Sequence, residues 1–290
     1  MHPAPSVIVF TALSGLGFGL LAWLGIGRPD VAGAAAFGLY FLGYALAVGG
    51  LTASAFHLAN PRNAPKAFSQ WRTSWLSREA VLAVAALLAV APYAFGRIFL
   101  GGAPGWLGFV GAVLSLATVF TTSMIYTQLK TIPRWHHPLT PVLFLGYAIG
   151  GGALIAGQAT PAAFLLAATG VAQIAAWVIG DGLFARAGHT RETATGLGRI
   201  GKVRQLESPH SGSNYLLKEM AYSVGRKHAE KLRVIGTALA FLLPLLILLG
   251  TPFGPLWAGL SVACHLVGVF VVRWLFFAEA KHVVSLYYAG

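Results

Sequence analysis

The 290-residue chain has little acid and little charge of any kind: aspartate and glutamate together number eight, and charged residues make up only 10%. Soluble domains carry about 25% charged residues, so an aqueous setting does not fit. Cysteine is almost absent too. A lone thiol, Cys264, forms no intrachain disulfide, no thiolate zinc cage and no iron–sulfur site, so the chain carries no cluster of its own. Cys264 falls inside an apolar run and reads as a small packing residue. Alternating apolar and polar residues, which a membrane barrel needs, are missing as well: Leu242 to Leu249 is apolar on every side. No basic stretch precedes the first apolar run and no cleavage site follows it, so that run reads as a retained helix.

What is present is a series of long apolar runs with a mean hydropathy of +0.71. A bilayer core roughly 30 Å thick needs about 20 apolar residues per helical crossing. The runs predict an all-α integral membrane protein, a bundle of eight transmembrane helices in a single domain, with spans at 6–27, 31–59, 77–97, 104–128, 140–156, 161–184, 234–250 and 255–277. Asn60 and Pro61 stop the second span, and Ser77 is the expected N-cap of the third. Residues 185–233 form a basic loop, within which 214–233 has helical amphipathicity, with Leu217, Met220 and Val224 on one side.

Eight spans place both termini on one side, together with the connectors after the second, fourth and sixth helices. That side then holds 17 of the 20 lysines and arginines, the other side only Arg28 and Arg97, and Arg273 lies within the last span. The basic side is therefore expected to be cytoplasmic. Anionic headgroups account for the net charge of +12 without nucleic acid, and the excess of cations also suits an acidic protein partner.

Nine histidines raise the question of haem. His57 lies near the basic end of span two, whereas His265 is about ten residues deep in span eight, roughly 15 Å at 1.5 Å per residue. Axial ligands must share a level, so no haem is expected. His136 and His137 sit in a connector beside Trp135 and read as interfacial, and His265 reads as a hydrogen-bonded helix contact. Gly196-Leu-Gly-Arg-Ile-Gly201 matches a dinucleotide fingerprint in spelling only, because no buried strand precedes it. Glycine runs such as Gly15-Leu-Gly-Phe-Gly and Gly150-Gly-Gly suit close helix contact.

The chemistry concentrates in one hairpin: His57-Leu-Ala-Asn60-Pro61-Arg62, then Trp71-Arg-Thr-Ser-Trp75-Leu-Ser77-Arg78-Glu79. The loop brings an imidazole and a carboxyl to the same membrane face. Ionisable groups at membrane depth are costly and mark candidate sites, and both groups exchange protons. Quinone chemistry moves two protons with two electrons, so His57 and Glu79 are the candidate proton-exchanging ligands of a quinone headgroup. Arg78 is expected to tune Glu79, with Trp71 and Trp75 walling the ring. The structural alternative makes Ser77 a cap, Arg78 a snorkelling cation and the tryptophans an interfacial belt. Arg273, Glu279 and His282 are candidate supporting residues: Arg273 pairs with a buried carboxylate such as Glu79 or reaches the headgroups, and Glu279 and His282 share a face if the last helix continues past the membrane. Asp181, Arg97 and Gln128 read as span-end or packing residues.

These blocks resemble the membrane-anchor subunit of dimethyl sulfoxide reductase. The likeness rests on His57-Leu-Ala-Asn-Pro-Arg-Asn-Ala64, Ser74-Trp-Leu-Ser-Arg-Glu79, Asn214-Tyr-Leu-Leu-Lys-Glu-Met220 with Arg226-Lys-His228, and Arg273-Trp-Leu-Phe-Phe-Ala-Glu279-Ala-Lys-His282. It implies a haem-free anchor that binds menaquinol or ubiquinol at His57 and Glu79. Its partners would be an iron–sulfur subunit and a molybdopterin catalytic subunit in a bacterial inner-membrane complex. The same anchor type serves sulfite-oxidising enzymes that deliver electrons to quinone, which suits a cytoplasmic catalytic partner. A secondary transporter is the competing class, with Gly150-Gly-Gly interrupting helix five and Asp181 in a proton path; it would often show inverted repeats, and none is detected.

Overall fold

A computed structural model describes residues 1–56, 61–207, 212, 218, 220, 228–252 and 254–287. Among these the regular elements are helical and none is a strand. The long helices are α1 (Pro5–Gly25), α2 (Gly33–Ala55), α3 (Trp75–Phe99), α4 (Gly105–Thr127), α5 (Leu139–Ile155) and α6 (Ala159–Arg186); a short α7 (Arg191–Thr195) precedes α8 (Ala229–Gly250) and α9 (Pro255–Ala278). Among the described residues seven helices are long and apolar enough to cross a membrane, and α5, with 17 residues, is a shorter apolar helix. Gly157, at φ +68°, closes α5 in the left-handed conformation that only glycine enters without strain, which sets its length.

Helix α1 is the hub, packing against α2, α4 and α5, with 72% of its apolar window covered against 22% for α8. Its glycines explain how. A methyl at Gly19 would collide with the Ala148 carbonyl of α5, and one at Gly152 with the Gly19 backbone. The two backbones therefore approach closely, as small residues permit in membrane bundles. Helix α5 runs without a break through Gly150-Gly-Gly, so those glycines serve contact and not interruption. Large apolar side chains such as Phe41, Leu88 and Phe95 stay on the outside, where acyl chains replace water as solvent.

Inside α8, Ala238–Leu242 forms a π-helical stretch just before Pro244. Proline has no N–H to give the carbonyl four residues earlier, which is Ala240. His265 of α9 replaces it: its Nδ1 lies 2.7 Å from the Ala240 oxygen, with the ring 1% exposed. His265 is thus a helix contact, as its lone position in span eight suggests.

Three boundaries correct the sequence reading. The N-cap of α3 is Ser74, so Ser77 lies within the first turn, buried and not a cap. Helix α8 begins at Ala229, five residues ahead of the expected membrane span, so the helix takes in the last part of the basic loop. Helix α9 ends at Ala278, so Glu279 and His282 do not share a continued helical face; His282 Nδ1 instead accepts from the Val284 N–H at 2.9 Å, ahead of the 3₁₀ turn Val283–Tyr287. The Gly196–Gly201 segment follows α7 and includes a 3₁₀ turn, with no strand before it.

Candidate functional site

His57 and Asn60 lie outside the described residues, as do Leu217, Val224 and most of the Asn214–Met220 block. The hairpin between α2 and α3 is described from residue 61, where Pro61–Phe68 forms a 3₁₀ helix. The bonds of Arg78 show how its second half is held. Its Nε donates to the Trp71 carbonyl at 3.0 Å and its Nη2 to the Arg72 carbonyl at 2.6 Å, while the guanidinium lies 4.3 Å over the Trp75 ring. Arg78 thus ties the loop to the start of α3 and forms no ion pair with Glu79. Trp75 packs edge-on against Phe120 of α4, and Trp71 stands exposed.

Glu79 is the fifth residue of α3, about 6 Å along its axis at 1.5 Å per residue, and its side chain turns into the bundle, 4% exposed. Thr122 of α4 donates to its Oε1, and no cation pairs with it among the described residues. The Thr122 hydroxyl also lies 3.0 Å from the Thr118 carbonyl. One hydrogen serves two acceptors: with Glu79 ionised it points at the carboxylate, and with Glu79 protonated it is free to turn to Thr118 while Glu79 donates to Thr122. Behind this pair Tyr126, one turn along α4, packs among Trp135, Phe144, Phe276 and Phe277, with ring centroids 5.3–5.6 Å away. The carboxyl is held beside a buried aromatic cluster.

Arg273 follows neither expected course. It does not pair with Glu79 and does not reach the surface; it is 4% exposed, its Cζ 3.7 Å from the Phe144 ring centroid and 5.3 Å from that of Tyr147, and its Nε is without an acceptor.

Glu279 anchors a second cluster, whose members the sequence disperses among span ends. Arg233 Nε donates to its Oε1 at 2.7 Å and Arg134 Nη1 to its Oε2 at 3.2 Å. Both arginines also reach Asp181, Arg233 through Nη1 at 2.8 Å and Nη2 at 2.6 Å, Arg134 through Nη2. The four groups join the α4–α5 connector, α6, α8 and the end of α9. Asp181 therefore belongs to an ion network, the geometry in which arginine's fork is most useful. Thr122 also escapes a reading of the sequence, although α4 carries an unusual polar run in Thr118, Thr121, Thr122 and Ser123, all buried. That run is the available signal.

Among the described residues no group of His, Cys, Asp and Glu could hold a metal ion. On the basic side His282 sits beside the chain's amino terminus, and burial, with that positive charge, holds its imidazole below the usual value.

No solved structure matches this chain significantly. The chain is 31% identical to the C subunit of the sulfite dehydrogenase of Allochromatium vinosum, in an alignment that covers 99% of both chains. The profile of the DMSO reductase anchor subunit (DmsC) matches residues 5–179, more than half of the sequence, in the region that contains α1 to α5, the hairpin and most of α6. A helical chain with the apolar lengths of membrane spans, carrying this profile and a full-length relative of that kind, belongs to the DMSO reductase anchor subunit family.

Proposed function

We propose that this chain is the quinone-binding membrane anchor of a molybdoenzyme complex in the bacterial inner membrane, with all eight long helices crossing. The amino terminus donates to the Ala280 carbonyl at 2.6 Å, and Val283 N–H to the Thr131 carbonyl at 3.0 Å. The start of the chain, the α4–α5 connector and the end of α9 therefore meet at one end of the bundle, as an even number of crossings requires. At about 25 Å, α5 is within the shorter range of spanning helices. The positive-inside rule then puts this end in the cytoplasm, facing an iron–sulfur subunit and a molybdopterin subunit.

The observation that carries the quinone reading is Glu79: a carboxyl 4% exposed, bonded to a threonine and to no cation among the described residues, close to the basic end. Such a group is costly at membrane depth, which marks it as a functional candidate. A quinol that becomes quinone gives up two electrons and two protons. Glu79 takes one proton at its carboxyl, with Thr122 following by rotation of its hydroxyl, and His57 takes the other at its imidazole. The electrons leave to the iron–sulfur partner. Arg78 holds the loop that closes this niche, and Trp71 and Trp75 flank it at the lipid edge. Ser77 is packed beneath the loop, and Arg273, Glu279 and His282 act at a distance as structural support.

With DMSO or a related acceptor as terminal substrate, the site would oxidise quinol. The name of the full-length relative favours the opposite direction, in which a cytoplasmic sulfite-oxidising partner supplies two electrons and the same residues return two protons to quinone. Replacing His57 with Ala in the assembled complex should lower quinone-coupled turnover by about 10²-fold or more, the range for a general acid–base group. Turnover with a soluble dye should persist. Equal loss in both assays, with subunits still assembled, would remove His57 from the site.

A further inference from the structure

Arg273 of α9 is a buried cation with no anionic partner among the described residues. It lines a cavity of about 50 Å³ between α5, α6 and α9, whose wall includes Phe144, Tyr147, Gln173 and Trp177. The residue is 4% exposed and its Nε has no acceptor. The nearby carboxylates are already taken, because Glu279 and Asp181 are shared by Arg134 and Arg233. The ring faces of Phe144 and Tyr147 offer cation–π contact, which accommodates a guanidinium without neutralising it.

Two donors on the wall, the Arg273 Nε–H and the Gln173 NH₂ group, have no acceptor among the described residues. Tyr147 spends its hydroxyl hydrogen on Gln173 Oε1 at 3.1 Å, which leaves the Gln173 NH₂ group as a free donor on a residue that lines the same cavity as Arg273. A buried cation with no partner is strongly unfavourable, and a buried donor without an acceptor adds to that cost. A water takes up about 10–15 Å³ by this measure, so the space accommodates roughly three to five waters or one compact anion. A quinone ring with its tail does not fit.

We propose that this cavity is a binding site for one small acceptor-only anion, a halide or a compact oxyanion, held by the Arg273 guanidinium and the Gln173 amide. Arg134 and Glu279 line the same cavity toward the basic end, so their ion pair covers the occupant on that side. The site is separate from Glu79, and its failure would leave the quinone reading untouched.

Equilibrium dialysis of the intact complex in gluconate buffer at fixed ionic strength tests this, with radiolabelled chloride and radiolabelled sulfate as separate probes. The expected result is one saturable site per chain for at least one probe. Arg273→Gln should weaken it by about tenfold or more, the scale of a lost charge-assisted bond. Gln173→Leu should weaken it by a smaller factor and decides the matter if Arg273→Gln does not assemble. Arg72→Gln, at the surface, should bind as the parent does. Saturation by chloride alone would select a halide, and by sulfate an oxyanion. No saturable binding of either probe would leave only water in the cavity and overturn the proposal; so would equal binding by the parent, Arg273→Gln and Gln173→Leu.

Discussion

Glu79 and Glu279 are both nearly buried carboxylates close to one end of the bundle, 4% and 7% exposed, yet their surroundings are opposite. Glu279 is saturated, with a guanidinium on each oxygen and a second carboxylate sharing both arginines. Glu79 has a threonine hydroxyl and no cation among the described residues. A saturated carboxylate has its charge balanced and holds helices together. One left with a single neutral donor can change protonation without breaking an ion pair, so it is suited to passing a proton. The contrast separates scaffold from chemistry better than burial or residue type.

Removing the saturated carboxylate should do the most damage. Glu279→Ala leaves Arg134 and Arg233 with the half-exposed Asp181 as their shared carboxylate and is expected to cost about 3 kcal/mol of stability, the low end of the range for breaking a buried ion pair, with Glu279→Gln milder. Thermal unfolding of the solubilised complex checks this. Next comes the hub of the fold: Gly19→Val forces side-chain atoms into the α5 backbone and should cost about 1–3 kcal/mol by the same measurement. Glu79→Gln keeps the shape of the side chain and its bond to Thr122. Its stability should stay within about 1 kcal/mol of the parent. If Glu79→Gln unfolded the protein as readily as Glu279→Ala, the two carboxylates would be the same kind of group after all.

The smallest effect belongs to pH. His282 is held below its ordinary value in the folded chain, so folding favours the neutral ring. Its contribution is present above the unfolded value of about 6.5 and is lost as pH falls through the lower folded value. Unfolding midpoints followed down from pH 7 should fall less steeply in His282→Gln than in the parent.

Much of the bundle is legible in the sequence because apolar run length depends on bilayer thickness and not on detailed packing. Leu242 to Leu249 and Ser6 to Gly27 read as helices from composition alone. The ends are less readable. Ser77 reads as the cap of the third span, yet the helix begins three residues earlier, with Ser74 at the N-cap and Trp75, its first residue, packed against Phe120. Glu279 looks like the next turn of a helix, and its two arginines take it instead into a network at the helix end. Of the candidate site, Glu79 stands out as an acid in an apolar chain, but its partner Thr122 is 43 residues away in sequence. Such a pairing is set by how α3 packs on α4. Arg273 is conspicuous as a charge within a span; its aromatic surroundings come from α5, and no local pattern encodes them.

The central claim, that Glu79 changes protonation when quinone turns over, is tested most directly by redox-triggered infrared difference spectroscopy of the complex in lipid. A carboxyl C=O band should appear or vanish on quinone reduction and be absent from the Glu79→Gln spectrum. A band that persists unchanged in Glu79→Gln, or the absence of any carboxyl band in the parent, would contradict it.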